Sequence, residues 1–580
     1  MTLTLTEYFS PLGPVNILYS LFFLLFFDAI GFVLSSSIIP LKKWQIPVRW
    51  IMGLGIYVFF WFIVGFFLVP NRNNIFMSAI LMGIPAILYH IEFRGYKQII
   101  ENKINFLFAL VITLPLLFAV YVKSSLPPYQ WDEMVYHYLS PRALADITTW
   151  KFGGGFYENL PRTIDTFYTL VFSLTHTYSV ARLFHFLMLF TILVSVFGWV
   201  RERFGKVSAL LFVTFCLYTN QNLIQDATSG YVDIAVSSLV FLGIISLWEQ
   251  GQALWSAWGM AVGTKYSAVI PLISNGLMYT FSFRPKVKQW IVIILMIALF
   301  GGYWYIKNLI LTGNPTFPLY FPCLRYQESC IAKSSYFEGW IYKINIKNVP
   351  VIGGMIFSGN KKLAALFVLA GVLILLRKSK REGEIAIKIL TIVLIDFLLM
   401  SFSSGYHPRY FIYIQFIFIL FVVIPQSRLY KVLLATVALI TVVNTINVVY
   451  YHSLPKWQID YALKKSTIYD FVGNILPEMK NVVYWCDNQK DIKEITQLDP
   501  ELNWFDYEGR MSVFLTNCRY KGFSGEITKD ILLVSKSKCQ KEVARVYSHE
   551  DDQAFSMRKQ NNDIICRLKE IVPGLYGHAK

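Results

Sequence analysis

The chain has 580 residues, 55% of them hydrophobic and 17% aromatic against 15% charged, with a mean hydropathy of +0.48. That balance excludes an ordinary soluble protein and places the chain in lipid. A net charge of +17 would suit nucleic acid, but residues 1–451 hold 34 Lys and Arg against 18 Asp and Glu, while residues 452–580 hold 19 against 18. The excess sits between apolar segments, where a membrane protein keeps its cytoplasmic loop charges, so no nucleic-acid partner is expected.

Apolar runs of roughly 17 to 25 residues predict membrane spans. They fall near 15–35, 50–69, 75–91, 104–122, 179–200, 207–224, 230–248, 289–310, 351–376, 385–402, 409–427 and 430–451. The first, from about Asn16 to Leu34, lacks a positive n-region and reads as a retained helix, with no cleavable signal peptide evident. The stretch 252–283 is too long for one helix and is interrupted by Gly263-Thr264-Lys265, which predicts two shorter helices meeting in a tight turn. The expected fold is an α-helical polytopic membrane protein with about 14 spans.

Lys and Arg in the short connections set the orientation. Lys42, Lys43 and Arg49, then Arg94, Lys97 and Lys103, then Arg201, Arg203 and Lys206, then Arg284, Lys286 and Lys288, then Arg377, Lys378, Lys380 and Arg381, and last Arg428 and Lys431 mark one side as cytoplasmic. The alternate connections carry Arg72, Lys265 and Arg409 singly, and none at 225–229. This alternation holds only if 252–283 is a hairpin. It divides the chain into a membrane domain, 1–451, with outside loops at about 123–178 and 311–350, and a small extracytoplasmic domain, 452–580. In the latter, Asn481–Trp485, Ser512–Leu515 and Ile531–Val534 read as buried strands among helix-compatible segments, predicting an α/β or α+β fold. Cys323 and Cys330 fall in the second outside loop and Cys486, Cys518, Cys539 and Cys566 in the C-terminal domain, where structural disulfides form in preference to a zinc site. Cys216 is left inside a helix.

The stretch Pro127-Pro128-Tyr129-Gln130-Trp131-Asp132-Glu133-Met134-Val135-Tyr136-His137-Tyr138 delivers two carboxylates to the outer surface just after the fourth helix. The residues through Trp150 form an amphipathic surface helix on which Glu133 and His137 share a face; solvated acids at a helix start are the plainer alternative. Asp226 and Asp233 come to another outside turn, where a helix N-terminal acid is equally consistent. Lys265 is a lone cation at a turn in apolar sequence, costly unless it snorkels or binds an anion. Lys307 lies in an aromatic girdle, Tyr303-Trp304-Tyr305-Ile306-Lys307-Asn308, ahead of Thr312-Gly313-Asn314-Pro315. His407 and Arg409 share the turn Ser404-Gly405-Tyr406-His407-Pro408-Arg409-Tyr410, and Arg suits a phosphate oxyanion by its bidentate fork. Asp28 and Asp396 lie within spans and receive no role.

The Trp-Asp-Glu and Tyr-His-Tyr of the first large outside loop, with the Gly-Asn-Pro and Arg-Tyr motifs further on, resemble the GT-C superfamily of integral membrane glycosyltransferases, such as the protein O-mannosyltransferases and the aminoarabinose transferases. The resemblance covers roughly residues 100–425 in order. Four helices precede the carboxylate loop here, where those relatives have one. It implies a sugar donor on a polyprenyl phosphate and an acceptor hydroxyl on a glycan, lipid or protein, with transfer on the extracytoplasmic side of a bacterial or archaeal cell membrane. By the same resemblance Asp132 is the general base or the acceptor-orienting residue, and Glu133 its support. Lys265, Lys307 and Arg409 then face the donor phosphate, and Tyr136, His137, Asp226, Asp233 and His407 support or bind substrate. A divalent Mg, Mn or Zn ion at Asp132, Glu133, Asp226, Asp233 or His137 is compatible with such donors, and relatives differ on metal use. A cell-envelope glycan polymerase or ligase, a lipid or solute transporter, and a membrane anchor for the C-terminal domain are the rival readings.

Overall fold

The computed structural model describes residues 11–37, 46–93, 97, 103–128, 133, 137, 159–220, 223–249, 252–317, 323–324, 361–377, 384, 387–388, 390–396, 409, 412–425 and 427–466, with five short strands beyond them. The helices are α1 (Pro14–Ser37), α2 (Ile46–Val64), α3 (Arg72–Glu92), α4 (Lys103–Ser125), α5 (Thr163–Thr175), α6 (Ser179–Tyr218) and α7 (Asp233–Ile244). They continue with α8 (Trp255–Val262), α9 (Val269–Phe283), α10 (Val287–Thr312), α11 (Lys361–Arg377), α12 (Ile412–Val423), α13 (Arg428–Tyr451) and α14 (Lys456–Ala462).

Seven of these, α1, α2, α3, α4, α6, α10 and α13, are long and apolar enough to cross a membrane. Leu18, Phe76, Leu81, Leu88, Leu107, Leu295 and Leu439 stand exposed on them, the side chains that lipid would cover. The chain is therefore an α-helical membrane protein. Of the fourteen spans expected, those at 351–376, 385–402 and 409–427 lie partly outside the described residues. Among the described residues α7 has 12 residues and α8, expected to be short, has 8, and every residue of both is buried. The expected break at Gly263-Thr264-Lys265 does separate α8 from α9. The 40-residue α6 bends at Gly205, whose φ of 85° only glycine adopts without strain, so its two arms match the expected helices 179–200 and 207–224.

Two results go beyond the sequence reading. The expected outside loop at 123–178 contains α5, a helix of Thr, Ser and aromatic residues packed against α2, α3 and α6 with its whole length nearly sealed from solvent. At 13 residues with an internal Asp it is too short and too polar to register as a span. Arg49, read as a cytoplasmic loop charge, lies inside α2 with 0% exposure. Its Nη2 donates to both oxygens of Asp28, at 2.7 and 2.8 Å, and its Nε to Oδ1 at 2.9 Å, while His90 Nε2 lies 2.9 Å from Oδ2. The three residues tie α1, α2 and α3 together. The contact is close because Gly31 and Gly53 face the opposing backbone: a Cβ at Gly31 would fall 1.9 Å from the Arg49 carbonyl oxygen and one at Gly53 2.0 Å from that of Phe27.

The expected domain over 452–580 lies almost entirely outside the described residues, as do its strands at 481–485 and 512–515. Described there are α14 and five strands of two or three residues: Arg545–Tyr547 pairs antiparallel with Ile531–Leu532 and Ala554–Ser556, and Val534–Ser535 with Tyr576–Gly577. Helix α14 folds back on the end of α4, where Lys123 Nζ donates to Gln458 Oε1 at 2.8 Å and Tyr121 donates to the Ala462 carbonyl at 3.2 Å.

Removing one member of a buried ion pair leaves an uncompensated charge, at a cost of about 3 to 5 kcal/mol. Arg49→Met should lower unfolding stability in detergent by about that amount, and Asp28→Asn in the same chain should restore a large part of it; equal stability of Arg49→Met and wild type would remove the triad from its role.

Candidate functional site

The polar side chains of the end where α4 finishes and α6 begins gather around the first turn of α7. Asp233 opens that helix, where an acid complements the dipole, and is 3% exposed. Lys265, from the turn between α8 and α9, donates to its Oδ1 at 2.6 Å. Arg409 Nε lies 3.2 Å from Oδ2, with the guanidinium 4.1 Å from the centroid of the Tyr231 ring. A π face and a carboxylate thus hold the same cation. The acid is sealed while the cations are partly open, with 20% of the Lys265 side chain and 15% of the Arg409 side chain exposed.

The carboxylate loop enters the same cluster. Glu133 is fully buried; its Oε1 accepts from Arg182 Nη2 and from the backbone N–H of Gly230, in the turn that leads to Tyr231 and Asp233. Arg182 also donates to the carbonyls of Lys123 and Leu126 at 3.1 and 2.8 Å, so it clamps residue 133 between the end of α4 and the start of α6. His137, one helical turn on, is buried as well: its Nδ1 lies 2.8 Å from Asp165 Oδ1 on α5, and its ring meets Tyr231 edge-on at 6.4 Å. Below them His185 fixes the turn by two contacts, Nδ1 3.1 Å from the Ser229 carbonyl and Nε2 accepting the Ala235 N–H at 3.1 Å.

Lys307 stands in an adjoining group. It is 5% exposed, donates to Asn159 Oδ1 at 3.0 Å and lies 5.3 Å from the Trp304 ring centroid. Asn308 donates to the Asn159 carbonyl at 2.7 Å and to the Tyr266 hydroxyl at 3.1 Å, and Tyr266 donates to the Phe317 carbonyl at 3.0 Å. Tyr266 follows Lys265 directly, so the two groups share a wall. What lets α10 reach them is the π-helical turn Ala298–Gly302, where the Gly301 and Gly263 backbones cross so closely that a Cβ on Gly263 would lie 2.4 Å from the Gly301 Cα. Cys323, in the segment that returns to the end of α10 through the Leu324 N–H to the Thr312 carbonyl, is disulfide-bonded to a cysteine outside the described residues. Cys216 is free and buried, as expected.

Of the residues singled out from the sequence, Glu133, His137, Asp233, Lys265 and Arg409 converge, Asp226 borders them, and Lys307 lies in the neighbouring group. Asp132, Tyr136 and His407 lie outside the described residues. Asp165, Arg182 and His185 were missed; Arg182 and His185 are ionisable groups in an apolar run, and that signal was there to be read. Among the described residues no group of three or more His, Cys, Asp or Glu side chains could hold a metal ion. What the cluster offers is a pair of partly open cations held on one sealed acid. No protein-family model matches the chain, and no curated protein and no solved structure is detectably similar to it.

Asp226 lies on the short helical segment Leu223–Ala227 between α6 and α7, outside the spanning helices. Burial, then repulsion from Asp233, push its carboxyl up to about 7 against the opposing pull of Arg409. A raised folded-state value means that the stabilising contribution is complete below the ordinary carboxyl range and is lost as pH climbs through about 7. Melting temperature in detergent should therefore fall between about pH 5 and pH 8 in wild type and fall less in Asp226→Asn; parallel curves for the two proteins would contradict the assignment.

Proposed function

We propose that the chain is a membrane glycosyltransferase of GT-C type that moves a sugar from a polyprenyl phosphate to an acceptor hydroxyl on the extracytoplasmic side. The observation that carries the reading is the attachment of Lys265 and Arg409 to the single carboxylate of Asp233, beside the loop that bears Asp132 and Glu133. The donor phosphate would exchange with Asp233 as partner of the two cations. The acceptor oxygen attacks the anomeric carbon, its proton passes to the Asp132 carboxylate, and the bond from that carbon to the phosphate oxygen breaks. The leaving polyprenyl phosphate carries away the electron pair, and the cations offset its growing charge. Glu133 holds the loop through Arg182 and Gly230, which is a positioning task. The disulfide at Cys323, in the segment bonded to the end of α10 at Thr312, supports an oxidising compartment on this side of the membrane.

A lipid or solute transporter is the second reading. It is favoured by the interrupted helices α8 and α9, the π turn of α10 and the buried acids Asp28 and Asp396. The two readings part on covalent chemistry.

Purified protein supplied with a labelled polyprenyl-phosphate sugar and candidate acceptors should form product. Asp132→Asn should abolish transfer, and Lys265→Met should slow it on the order of 100-fold, both without loss of membrane insertion. Full turnover by Asp132→Asn would remove that residue from the mechanism, and movement of intact donor lipid across vesicles without product would favour the transporter.

A further inference from the structure

A second polar site lies beneath the first, at a carboxyl that the transfer reading does not use. Asp396 is 0% exposed and lies on the helical residues 390–396. Its Oδ1 is hydrogen-bonded to the Ser274 hydroxyl of α9, and that same hydroxyl lies 3.0 Å from the Pro271 carbonyl oxygen. Ser274 has one hydrogen and faces two oxygens that, with an ionised carboxylate, would both be acceptors only. The count closes when Asp396 carries the second hydrogen: the acid donates to Ser274, and Ser274 donates to the Pro271 carbonyl. Burial points the same way, since an ionised carboxylate without a cation is among the costliest groups to place in a protein interior. Among the described residues no Lys, Arg or His is paired with Asp396, and Lys388, on the same stretch, turns to the Phe283 ring at 5.0 Å.

The other end of the carboxyl looks toward the first site. The Tyr413 hydroxyl, on α12, lies within interaction range of Asp396, and the pair falls short of full hydrogen-bond geometry, which leaves Oδ2 and the hydroxyl open to a further partner. Tyr413 also lines a cavity of about 10 Å³ whose other walls include Asp233, Ser237, Ser267 and Pro271. That is room for about one water, and the walls supply the polar partners a buried water needs. The groups facing Asp396 are thus Ser274 from α9 and Tyr413 from α12, with Asp233 and its partners Lys265 and Arg409 across the cavity.

We propose that Asp396 is an intramembrane proton-binding site, occupied in the structure described, and linked through Tyr413 and one cavity water to the Asp233 cluster. The ligand is a proton, held as a carboxylic acid and exchanged along hydroxyl and water. This link gives the cationic pair a proton source from inside the membrane domain, apart from any residue of the carboxylate loop. The proposal does not require glycosyl transfer, and its test needs no turnover.

The test is infrared difference spectroscopy of the purified full-length protein in detergent at neutral pH. Wild type minus Asp396→Asn should show the carbonyl stretch of a protonated carboxylic acid. Tyr413→Phe should shift that band by removing its neighbouring hydroxyl, and Asp233→Asn should shift it through the cavity. A difference spectrum showing only carboxylate bands would overturn the proton site. A protonated band unmoved in both Tyr413→Phe and Asp233→Asn would overturn the link. Should Asp396→Asn not fold, the shift or its absence in the other two variants decides the matter.

Discussion

One carboxylate, Asp233, gathers cations from two distant parts of the chain, and the upper end of the helical domain is organised around that attachment. Lys265 and Arg409 come from separate turns, and neither has an economical place in an apolar fold without an anion. Asp233 supplies one from the first turn of α7, where the helix dipole already favours negative charge. Asp233 is sealed while the cations are partly open, and the proposed transfer rests on their changing partner without unfolding the cluster. A structural ion pair with both members sealed, such as Asp28 with Arg49, cannot do so. Its partners are fixed by helices that cross on glycine, and it joins α1, α2 and α3 into one unit.

The remaining polar contacts keep the loop and the helices in register with that centre. Arg182 reads three carbonyl or carboxylate oxygens and so fixes the height of residue 133 against α4 and α6. His185 fixes the turn that carries Ser229 and Ala235, and Asp165 draws His137 toward α5. None of these groups is near solvent, and in lipid each would cost several kcal/mol if unsatisfied. Their satisfaction by one another is what permits a polar cluster inside a domain that is otherwise Phe, Leu, Val and Ile.

Much of this was legible in the sequence because cations in apolar runs are conspicuous. The Gly263-Thr264-Lys265 interruption predicted the break between α8 and α9, Asp233 and Arg409 were named from their turns, and Glu133 and His137 from one face of the expected surface helix. The failures have physical reasons. Arg49 sits at the start of a helix, where a hydropathy profile cannot tell a loop charge from a buried one, so its pairing with Asp28 was hidden. The 13 residues of α5 are almost all buried by protein, and the hydroxyls of Thr169, Ser173 and Thr175 return to backbone carbonyls one turn earlier, which no length rule for spans detects. The short helix α7 reads as part of a longer run for the converse reason: burial against protein demands the same apolar residues as burial in a bilayer. The distance between Lys307 and the Asp233 cluster depends on a π turn, for which paired glycines were the only trace.

Central to the proposed transfer is the capacity of Lys265 and Arg409 to take a lipid phosphate in place of Asp233. Phosphorus NMR of polyprenyl phosphate in micelles, titrated with the purified protein, measures that exchange directly. Wild type should shift or broaden the phosphate resonance, and a Lys265→Met, Arg409→Met double variant that remains folded should leave it where it is in protein-free micelles. An unperturbed resonance with wild type, or the same perturbation with the double variant, would contradict the claim.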